Sequence, residues 1–274
     1  MAKQVAAVVG AGPMGLWMAR HLRGKQFTVK VYDKNPAKTR QAAKHGGLLP
    51  ARSLDDAVSD ASYVMVATGS LNAGETIKKI AASHSGKTVI DISSVKTPVL
   101  RSLRRENLGD NLVVLTHPLF GPGTTKLTDK TVVFTPFRYG ERERRVAVSI
   151  FRPCRILAMT VEEHDLRMAY AMAVPRILML VLLDSWRSMG VDVLTTSQKA
   201  LTLAASTMLS DSPALIREVI AANPYTSRAI AAFRKNLDIN KPQQVNSMLK
   251  RLKPQLDKLA QGYGVAYKWV EQRP

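Results

Sequence analysis

The sequence predicts an α/β protein in which a doubly wound parallel sheet of the Rossmann type precedes an all-α domain. Three observations support this fold class. A glycine-rich turn near the N-terminus separates a strand pattern from a helix pattern, strand and helix signals alternate as far as residue 161, and only helical periodicity follows from residue 162. We therefore predict two domains, at residues 1–161 and 162–274.

The glycine-rich turn is the segment GAGPMG at residues 10–15, between an apolar strand at residues 4–9 and an amphipathic helix. In dinucleotide-binding folds the first glycine allows a tight turn, the second lets the backbone approach a pyrophosphate, and the third lets the helix pack on the strand. The helix N-terminus then faces the phosphates. We predict that the cofactor contacts Gly10, Gly12, Pro13, Met14 and Gly15.

Two further residues are predicted to contact this cofactor. Asp33 follows the predicted strand Thr28–Tyr32, and an acidic residue there bonds the ribose hydroxyls and repels a 2′-phosphate. Thr68 follows the strand Tyr63–Ala67 and is expected to pass beside the nucleotide. The pattern favours NAD over NADP, although NADP stays possible because basic residues lie nearby, at Lys34, Lys38 and Arg40.

The candidate proton acceptor lies in the segment LVVLTHPLFGPG at residues 112–123. A run of strand-forming residues stops at His117, and Pro118 keeps the preceding residue extended before the glycine turn. Ligands of open parallel sheets bind at the carboxyl ends of the strands, so His117 is expected to face a ligand site. An ordinary loop or capping histidine is the alternative.

The remaining elements follow from periodicity. Further sheet-domain elements are predicted as strands Lys87–Asp91, Thr131–Thr135 and Arg155–Met159 and a basic helix Glu141–Phe151. Helical-domain elements are predicted at Glu163–Met189, Thr196–Leu209, Pro213–Ala222, Tyr225–Leu237 and Pro242–Gln261. Pro175 is expected to kink the first of these helices.

Composition narrows the class of protein. With 274 residues, 46% of them hydrophobic, the chain can bury a substantial core. The single Cys154 excludes an intramolecular disulfide and argues for a reducing compartment. We expect no signal peptide and no metal site. We also expect no membrane span, because the apolar run Ile177–Leu183 is far shorter than a bilayer-crossing helix. A cytoplasmic location is therefore predicted.

The net charge is strongly positive, at +19. Residues 1–160 carry 25 basic and 11 acidic side chains, and residues 161–274 carry 15 and 10. A positive field over the predicted nucleotide domain would speed the capture of anionic cofactor and substrate. It would also suit nucleic acid, although no aromatic residues are interleaved with the two basic clusters at 101–105 and 142–145.

The helical domain has more apolar surface than one small sheet can cover. We expect the segments Tyr170–Leu183 and Leu201–Leu209 to pack against a second copy of the chain, giving a homodimer. A helical lobe that packs only on its own sheet domain is the alternative.

Five segments occur in an order that resembles the prephenate dehydrogenase family of tyrosine biosynthesis, which includes arogenate and cyclohexadienyl dehydrogenases. They are GAGPMG at 10–15, DISSVK at 91–96, THPLFGPG at 116–123, EEHD at 162–165 and SPALIREVIAANP at 212–224. The resemblance implies a Rossmann domain with a helical dimerisation domain. It also implies NAD(P)-dependent oxidative decarboxylation of prephenate to 4-hydroxyphenylpyruvate.

The resemblance also implies roles for single residues. His117 would accept the proton of the substrate's ring hydroxyl, and Ser94 would bond that hydroxyl or orient the imidazole. A helix cap is the alternative for Ser94. Lys96 is interpreted as a solvated or phosphate-facing cation, and His164 and Asp165 as structural hinge or capping groups.

Two arginines are candidates for binding the substrate. Arg217 falls where the family places an arginine that holds a carboxylate, a task suited to a planar guanidinium. Arg176 lies in the segment AVPRIL at residues 173–178, at a position where the family commonly has a histidine. A guanidinium that is always charged therefore replaces an imidazole that can lose its proton. Arg176 is expected to bind a carboxylate, whereas a divergent substrate or weakened activity is the alternative.

Three other functions stay open. Arogenate differs from prephenate only in an amino group in place of a keto group. A 3-hydroxyacid dehydrogenase of the 3-hydroxyisobutyrate type shares the opening motif, but the segment at 162–175 has neither the glycines nor the lysine of that family. A non-catalytic basic protein that binds NAD or nucleic acid is the last alternative.

Overall fold

The computed structural model describes residues 3–44, 47–191, 195–237 and 241–271. The chain forms two compact units, Met1–Met168 and Ala169–Pro274. The first unit contains all the strands of the described chain, and the described part of the second is helical. The predicted order of a Rossmann sheet followed by helices is thus confirmed. The predicted boundary between a nucleotide-binding domain at residues 1–161 and a helical domain at residues 162–274 stays a prediction.

The sheet of the first unit has eight strands in the order β3-β2-β1-β4-β5-β6-β7-β8. Neighbouring strands pair in parallel except β6 and β7, which are antiparallel. The chain reverses its direction of winding between β1 and β4, which is where open α/β sheets bind ligands. The strands are β1 Val5–Val9, β2 Thr28–Tyr32, β3 Leu48–Pro50, β4 Tyr63–Val66, β5 Thr88–Asp91, β6 Leu112–Pro118, β7 Thr131–Thr135 and β8 Arg155–Ala158.

Helices cover both faces of this sheet. Buried residues of α1 and α6 share one apolar cluster with one face of the strands, and those of α3, α4 and α5 share another cluster with the opposite face. The central strands are almost continuously apolar, as expected for strands buried on both faces. The helices of this unit are α1 Pro13–Gly24, α2 Pro36–Ala43, α3 Leu54–Val58, α4 Ser70–Ser83, α5 Thr97–Leu103, α6 Glu141–Phe151 and α7 Val161–Met168.

The second unit is built from helices around a small core. Its buried residues Ala169, Val174 and Ala229 pack with partly buried apolar side chains. Ser212 caps the helix that follows it, because its side chain accepts a hydrogen bond from the Leu215 amide. The helices are α8 Val174–Ser188, α9 Thr196–Leu209, α10 Pro213–Ala221, α11 Thr226–Arg234, α12 Pro242–Gln261 and α13 Tyr263–Glu271.

A π-helical segment, Ala169–Ala173, joins α7 to α8. Pro175 lies in the first turn of α8, where its missing N–H costs little. The ring of a proline in a helix clashes with the carbonyl four residues earlier, which here belongs to Ala171. Ala171 lies within the π-helical segment, whose turn is wider than that of an α-helix. The expected distortion at Pro175 therefore takes the form of a π segment that precedes the proline.

The run from Val161 to Ser188 is helical throughout, and its apolar window has a mean hydropathy of 1.7 with 28% of its residues buried. By length and composition it could cross a membrane, so the sequence prediction, which considered only Ile177–Leu183, underestimated its length. Core helices of soluble proteins have the same length and composition.

Glu143 of α6 organises the loop that follows β7. It is fully buried, and its carboxylate accepts hydrogen bonds from the backbone amides of Phe137, Arg138 and Tyr139, each at 2.8 Å. A buried carboxylate is tolerated only when its oxygens are satisfied in this way. The interaction therefore fixes the entry of the chain into α6.

We predict that Glu143→Gln lowers the free energy of unfolding by about 2 kcal/mol, because an amide N–H₂ would replace an acceptor that faces backbone donors. Chemical denaturation measures the change. Glu141→Gln, at an exposed position of the same helix, is the control and should leave stability almost unchanged. Equal effects of the two substitutions would contradict the assignment.

Candidate active site

The glycine turn after β1 is packed too closely for side chains at two of its positions. Gly10 has a φ of +104°, and a Cβ on it would lie 2.4 Å from the carbonyl oxygen of Ala67. A Cβ on Gly15 would lie 1.8 Å from the carbonyl oxygen of Gly10, so helix α1 rests directly on the turn. A Cβ on Gly12 would meet nothing within 4 Å. The space over Gly12 and the N-terminus of α1 therefore fit a pyrophosphate.

Asp33 is tied to this turn. One carboxylate oxygen accepts a hydrogen bond from the Ala11 amide and the other from the Asn35 amide, each at 2.8 Å. A carboxylate has about four acceptor positions, so this arrangement still suits ribose hydroxyls. Thr68 follows β4, and its backbone nitrogen would lie 3.2 Å from a Cβ on Gly10. Asp33 and Thr68 therefore both lie beside the turn, and their predicted contacts with the cofactor stay predictions.

We predict that Gly12→Ala weakens NADH binding by at least about tenfold, or about 1.4 kcal/mol, because its methyl group would occupy the space over the turn. Fluorescence titration with NADH measures the dissociation constant. Gly24→Ala is a matched control, since a Cβ there also meets nothing within 4 Å and the residue lies at the far end of α1. Both variants should unfold at the wild-type temperature, and equal affinities would argue against this turn as the binding site.

His117 lies at the carboxyl end of β6, and its side chain is buried, with the residue 4% exposed. Its Nδ1 lies 2.9 Å from Nε2 of His164, whose own Nδ1 lies 2.7 Å from Oδ1 of Asp165. His164 and Asp165 belong to α7 and are fully buried. The three side chains thus form a continuous hydrogen-bonded chain inside the first unit, which we call the His-His-Asp chain.

Asp165 also caps a helix other than its own. Its two oxygens accept hydrogen bonds from the amides of Lys96 and Thr97, at 2.9 and 2.7 Å, at the N-terminus of α5. Burial raises the pKa of Asp165, but the hydrogen bonds from His164, Lys96 and Thr97 outweigh it and hold the pKa below its ordinary value. Burial lowers the pKa of His164, and the hydrogen bond to Asp165 offsets this only in part. The chain therefore combines a carboxylate with a neutral imidazole.

Lys96 is fully buried, so its interpretation as a solvated or phosphate-facing cation was wrong. Its ammonium group donates to the carboxylate of Asp91, to the carbonyl of Thr116 and, at 3.2 Å, to the hydroxyl of Ser93. These acceptors come from the ends of β5 and β6 and from the turn after β5. Lys96 therefore holds the two strand ends together next to His117, a role that its sequence neighbours did not reveal.

Ser94 lies half-buried in the turn between β5 and α5. Asp165 accepts hydrogen bonds from the first amides of α5, so the cap of this helix comes from α7 and not from Ser94. The alternative interpretation of Ser94 as a cap is therefore wrong. Its predicted contact with a substrate hydroxyl stays a prediction.

The two predicted substrate arginines belong to the second unit. Arg176 is 8% exposed, and its guanidinium donates to Asp211 at 2.8 Å and to the Met172 carbonyl at 3.3 Å. Its buried Nε has no hydrogen-bond partner among the described residues. Arg217 is exposed on α10. Arg176 therefore already binds one carboxylate within its own unit, and the substrate role of both arginines stays a prediction.

The interpretation of Asp165 as a capping group is confirmed by its bonds to the first amides of α5. Sequence reasoning missed, however, the hydrogen bonds that connect Asp165 and His164 to His117. The sequence did contain a signal, because two adjacent titratable residues at the start of an apolar helix are costly to bury unless they are paired. Their partner His117 lies 47 residues earlier, however, so the pairing becomes visible only in the fold.

Comparison with known proteins supports the NAD-binding domain and the fold. A protein-family profile described as the NAD-binding domain of 6-phosphogluconate dehydrogenase matches residues 5–133, so the predicted NAD-binding domain is confirmed. A probable arogenate/prephenate dehydrogenase of Methanocaldococcus jannaschii is 24% identical over 258 residues, which are 90% of this chain and 56% of that relative. The chain is similar to arogenate and prephenate dehydrogenases. The resemblance inferred from the motif order is thus confirmed, and the chain spans little more than half of that curated relative.

Solved structures of prephenate and arogenate dehydrogenases share the fold. Prephenate dehydrogenase from Aquifex aeolicus, in complex with hydroxyphenyl propionate and NAD⁺, is 23% identical with a TM-score of 0.77, covering 95% of this chain and 97% of that one. Arogenate dehydrogenase from Synechocystis is 18% identical with a TM-score of 0.66, covering 97% of this chain and 100% of that one. The likeness of fold to these solved structures therefore includes residues of both units.

Proposed function

We propose that this protein catalyses the oxidative decarboxylation of prephenate to 4-hydroxyphenylpyruvate, a step of tyrosine biosynthesis, with NAD as the hydride acceptor. The proposal depends on one observation above all. His117, at the carboxyl end of β6, is held by a buried hydrogen-bonded chain in the same unit as the glycine turn. The similarity to a probable arogenate/prephenate dehydrogenase supports the reaction class.

The chemistry requires little more than one base and correct alignment. Prephenate carries a hydroxyl on a cyclohexadiene ring, with a carboxylate and a pyruvyl side chain on the opposite ring carbon. NAD held at the glycine turn would supply the acceptor for the hydride of the hydroxyl-bearing carbon. His117 accepts the hydroxyl proton, carbon dioxide leaves from across the ring, and aromatisation drives the reaction. An imidazole suits this task because its ordinary pKa lies near working pH.

Three other residues are proposed to contact the substrate. Ser94, in the turn next to β5, bonds the ring hydroxyl or orients the imidazole. Arg217 and Arg176 hold carboxylate groups, and Arg217 is the better candidate because the guanidinium of Arg176 is already bound by Asp211.

Arogenate is the second candidate substrate. The relative from M. jannaschii is named for both substrates, and the Synechocystis structure is that of an arogenate dehydrogenase. The two substrates share the ring, the hydroxyl and the leaving carboxylate, so His117 would serve both. A direct comparison of the two substrates decides between them.

NAD is proposed as the preferred cofactor over NADP. Asp33 beside the glycine turn would repel a 2′-phosphate, and the A. aeolicus prephenate dehydrogenase was solved with NAD⁺. We further propose that the enzyme works in the cytoplasm, as the single cysteine and the biosynthetic relatives suggest.

We predict that His117→Asn lowers turnover by about 100-fold or more, because it removes the general base. The measurement is NADH formation by wild type and variant with prephenate and, separately, with arogenate. His84→Asn is a matched control, since this histidine contacts the carboxylate of Asp55 outside the site.

Full turnover by the His117→Asn variant would remove this residue from its assigned role. If wild type forms no NADH with either substrate, the proposed reaction is wrong, and salt-dependent retention of an oligonucleotide would then favour a non-catalytic binding protein.

A homodimer through the second unit is also proposed. Apolar residues of α12 recur at alternating spacings of four and three, and they are 37 to 69% exposed: Val245, Leu249, Leu252, Leu256 and Leu259. This spacing is that of a coiled-coil seam. A second copy fits the seam because most residues flanking it are uncharged, namely Asn246, Met248, Gln255 and Ala260, with Lys253 as the charged one. The proposed interface also includes exposed residues of the predicted segments at 170–183 and 201–209.

We predict that Leu252→Glu converts a dimer into a monomer, because a charge would be buried in the seam. Light scattering coupled to size-exclusion chromatography measures the mass. Gln243→Glu introduces the same residue at an exposed position of α12 outside the seam and should leave the dimer intact. A wild-type monomer, or a dimeric Leu252→Glu variant, would overturn this interface.

A further inference from the structure

We propose that His164 and Asp165 are positioning residues that hold His117 in one neutral tautomer, with its proton on Nδ1 and its lone pair on Nε2. The geometric part of this inference concerns the protein alone. Its catalytic meaning rests on the proposed function, in which His117 accepts a proton.

The argument begins at Asp165, the buried end of the His-His-Asp chain. Its carboxylate is the acceptor of two backbone amides at the start of α5, and an ionised carboxylate can only accept hydrogen bonds. The bond of 2.7 Å to His164 must therefore be donated by Nδ1 of His164. Asp165 thus fixes the position of the proton on the His164 ring.

His164 transmits this choice to His117. It is fully buried and its pKa is lowered by burial, so it is neutral and carries a single ring proton. With that proton on Nδ1, its Nε2 is an acceptor, and the contact of 2.9 Å must be donated by Nδ1 of His117. The neutral His117 ring therefore presents an unprotonated Nε2, which is the atom that a general base requires.

The same chain stabilises His117 after it has accepted a proton. In that step the substrate O–H bond breaks, an Nε2–H bond forms, and the Nδ1–H bond is retained. The imidazolium that results donates to His164, which in turn donates to the carboxylate of Asp165. The other buried charges of this network, Lys96 and Asp91, pair with each other. The positive charge on His117 is thereby connected to an anion within the protein.

A purely structural role for Asp165 is the competing explanation, because capping α5 is a sufficient reason to bury a carboxylate. The two explanations differ at His117. A cap stabilises the fold but does not determine which nitrogen of His117 carries the proton, whereas the His-His-Asp chain does.

The first test therefore measures the tautomer directly. Nitrogen chemical shifts of ¹⁵N-histidine-labelled protein distinguish a protonated from an unprotonated ring nitrogen, and the His117 signals are those lost in His117→Asn. In wild type we expect a protonated Nδ1 and an unprotonated Nε2. In His164→Leu, which keeps both amide bonds of Asp165 to α5, we expect the shifts of a mixture of tautomers.

The second test measures turnover and includes a rescue. His164→Leu should lower kcat by about 100-fold, approaching the loss of the base itself, with little change in KM. His164→Gln can still accept from Nδ1 of His117 through its side-chain oxygen, so it should recover much of the lost turnover. Asp165→Asn should also lower kcat, because an amide can donate to His164 and reverse its tautomer.

The chain provides a matched control pair. His84 and Asp55 form a histidine–carboxylate contact of 3.1 Å away from the site, so His84→Leu and Asp55→Asn repeat the same substitutions outside it. Both should leave the His117 shifts and kcat unchanged. Thermal unfolding of every variant identifies any that fail to fold, and His164→Leu remains informative if Asp165→Asn is unstable.

Wild-type shifts at His117 in the His164→Leu variant, or an unprotonated Nδ1 in wild type, would overturn the inference. Turnover of His164→Gln no higher than that of His164→Leu would also count against it. A wild type that shows the fixed tautomer but no activity on prephenate or arogenate would instead refute the proposed function and leave the inference standing.

Discussion

The site of this protein depends on how one buried carboxylate is satisfied. Asp165 accepts hydrogen bonds from two amides of α5 and is bonded to His164, so α7 can bury an acidic residue only in the position where it meets both partners. Removing an ion from water is costly unless hydrogen bonds replace the lost hydration. The burial of Asp165 therefore sets the register of α7 against α5, and the position of His117 relative to both.

A second buried pair completes the same region. Lys96 follows the turn after β5, and its ammonium group joins Asp91 to the end of β6. The residue thus contributes its backbone amide to Asp165 and its side chain to the strand ends. Buried hydrogen bonds of a charged group therefore hold the ends of β5 and β6 together. Bonds of this kind fix the geometry of a site before a ligand binds.

The sequence was sufficient for the parts of this protein that depend on local patterns. The glycine turn, the strand that ends at His117 and the helices of the second unit all follow from spacing and turn chemistry within short segments. The His-His-Asp chain could not be predicted in this way, because it joins residues 47 positions apart and its bonds depend on how α7 packs. Lys96 was misjudged for the same reason, since a lysine is normally exposed and only a fold can supply three acceptors around it.

The extent of the nucleotide-binding module has a consequence for how chains with this module diverge. The NAD-binding family profile ends at residue 133, so it contains His117 but stops before His164 and Asp165. A chain that inherited this module alone, fused to a different C-terminal partner, would keep the imidazole and lose the hydrogen-bonded groups beside it. The glycine turn is therefore portable between proteins, whereas the buried hydrogen bonds at His117 have to be rebuilt by whichever helix comes next.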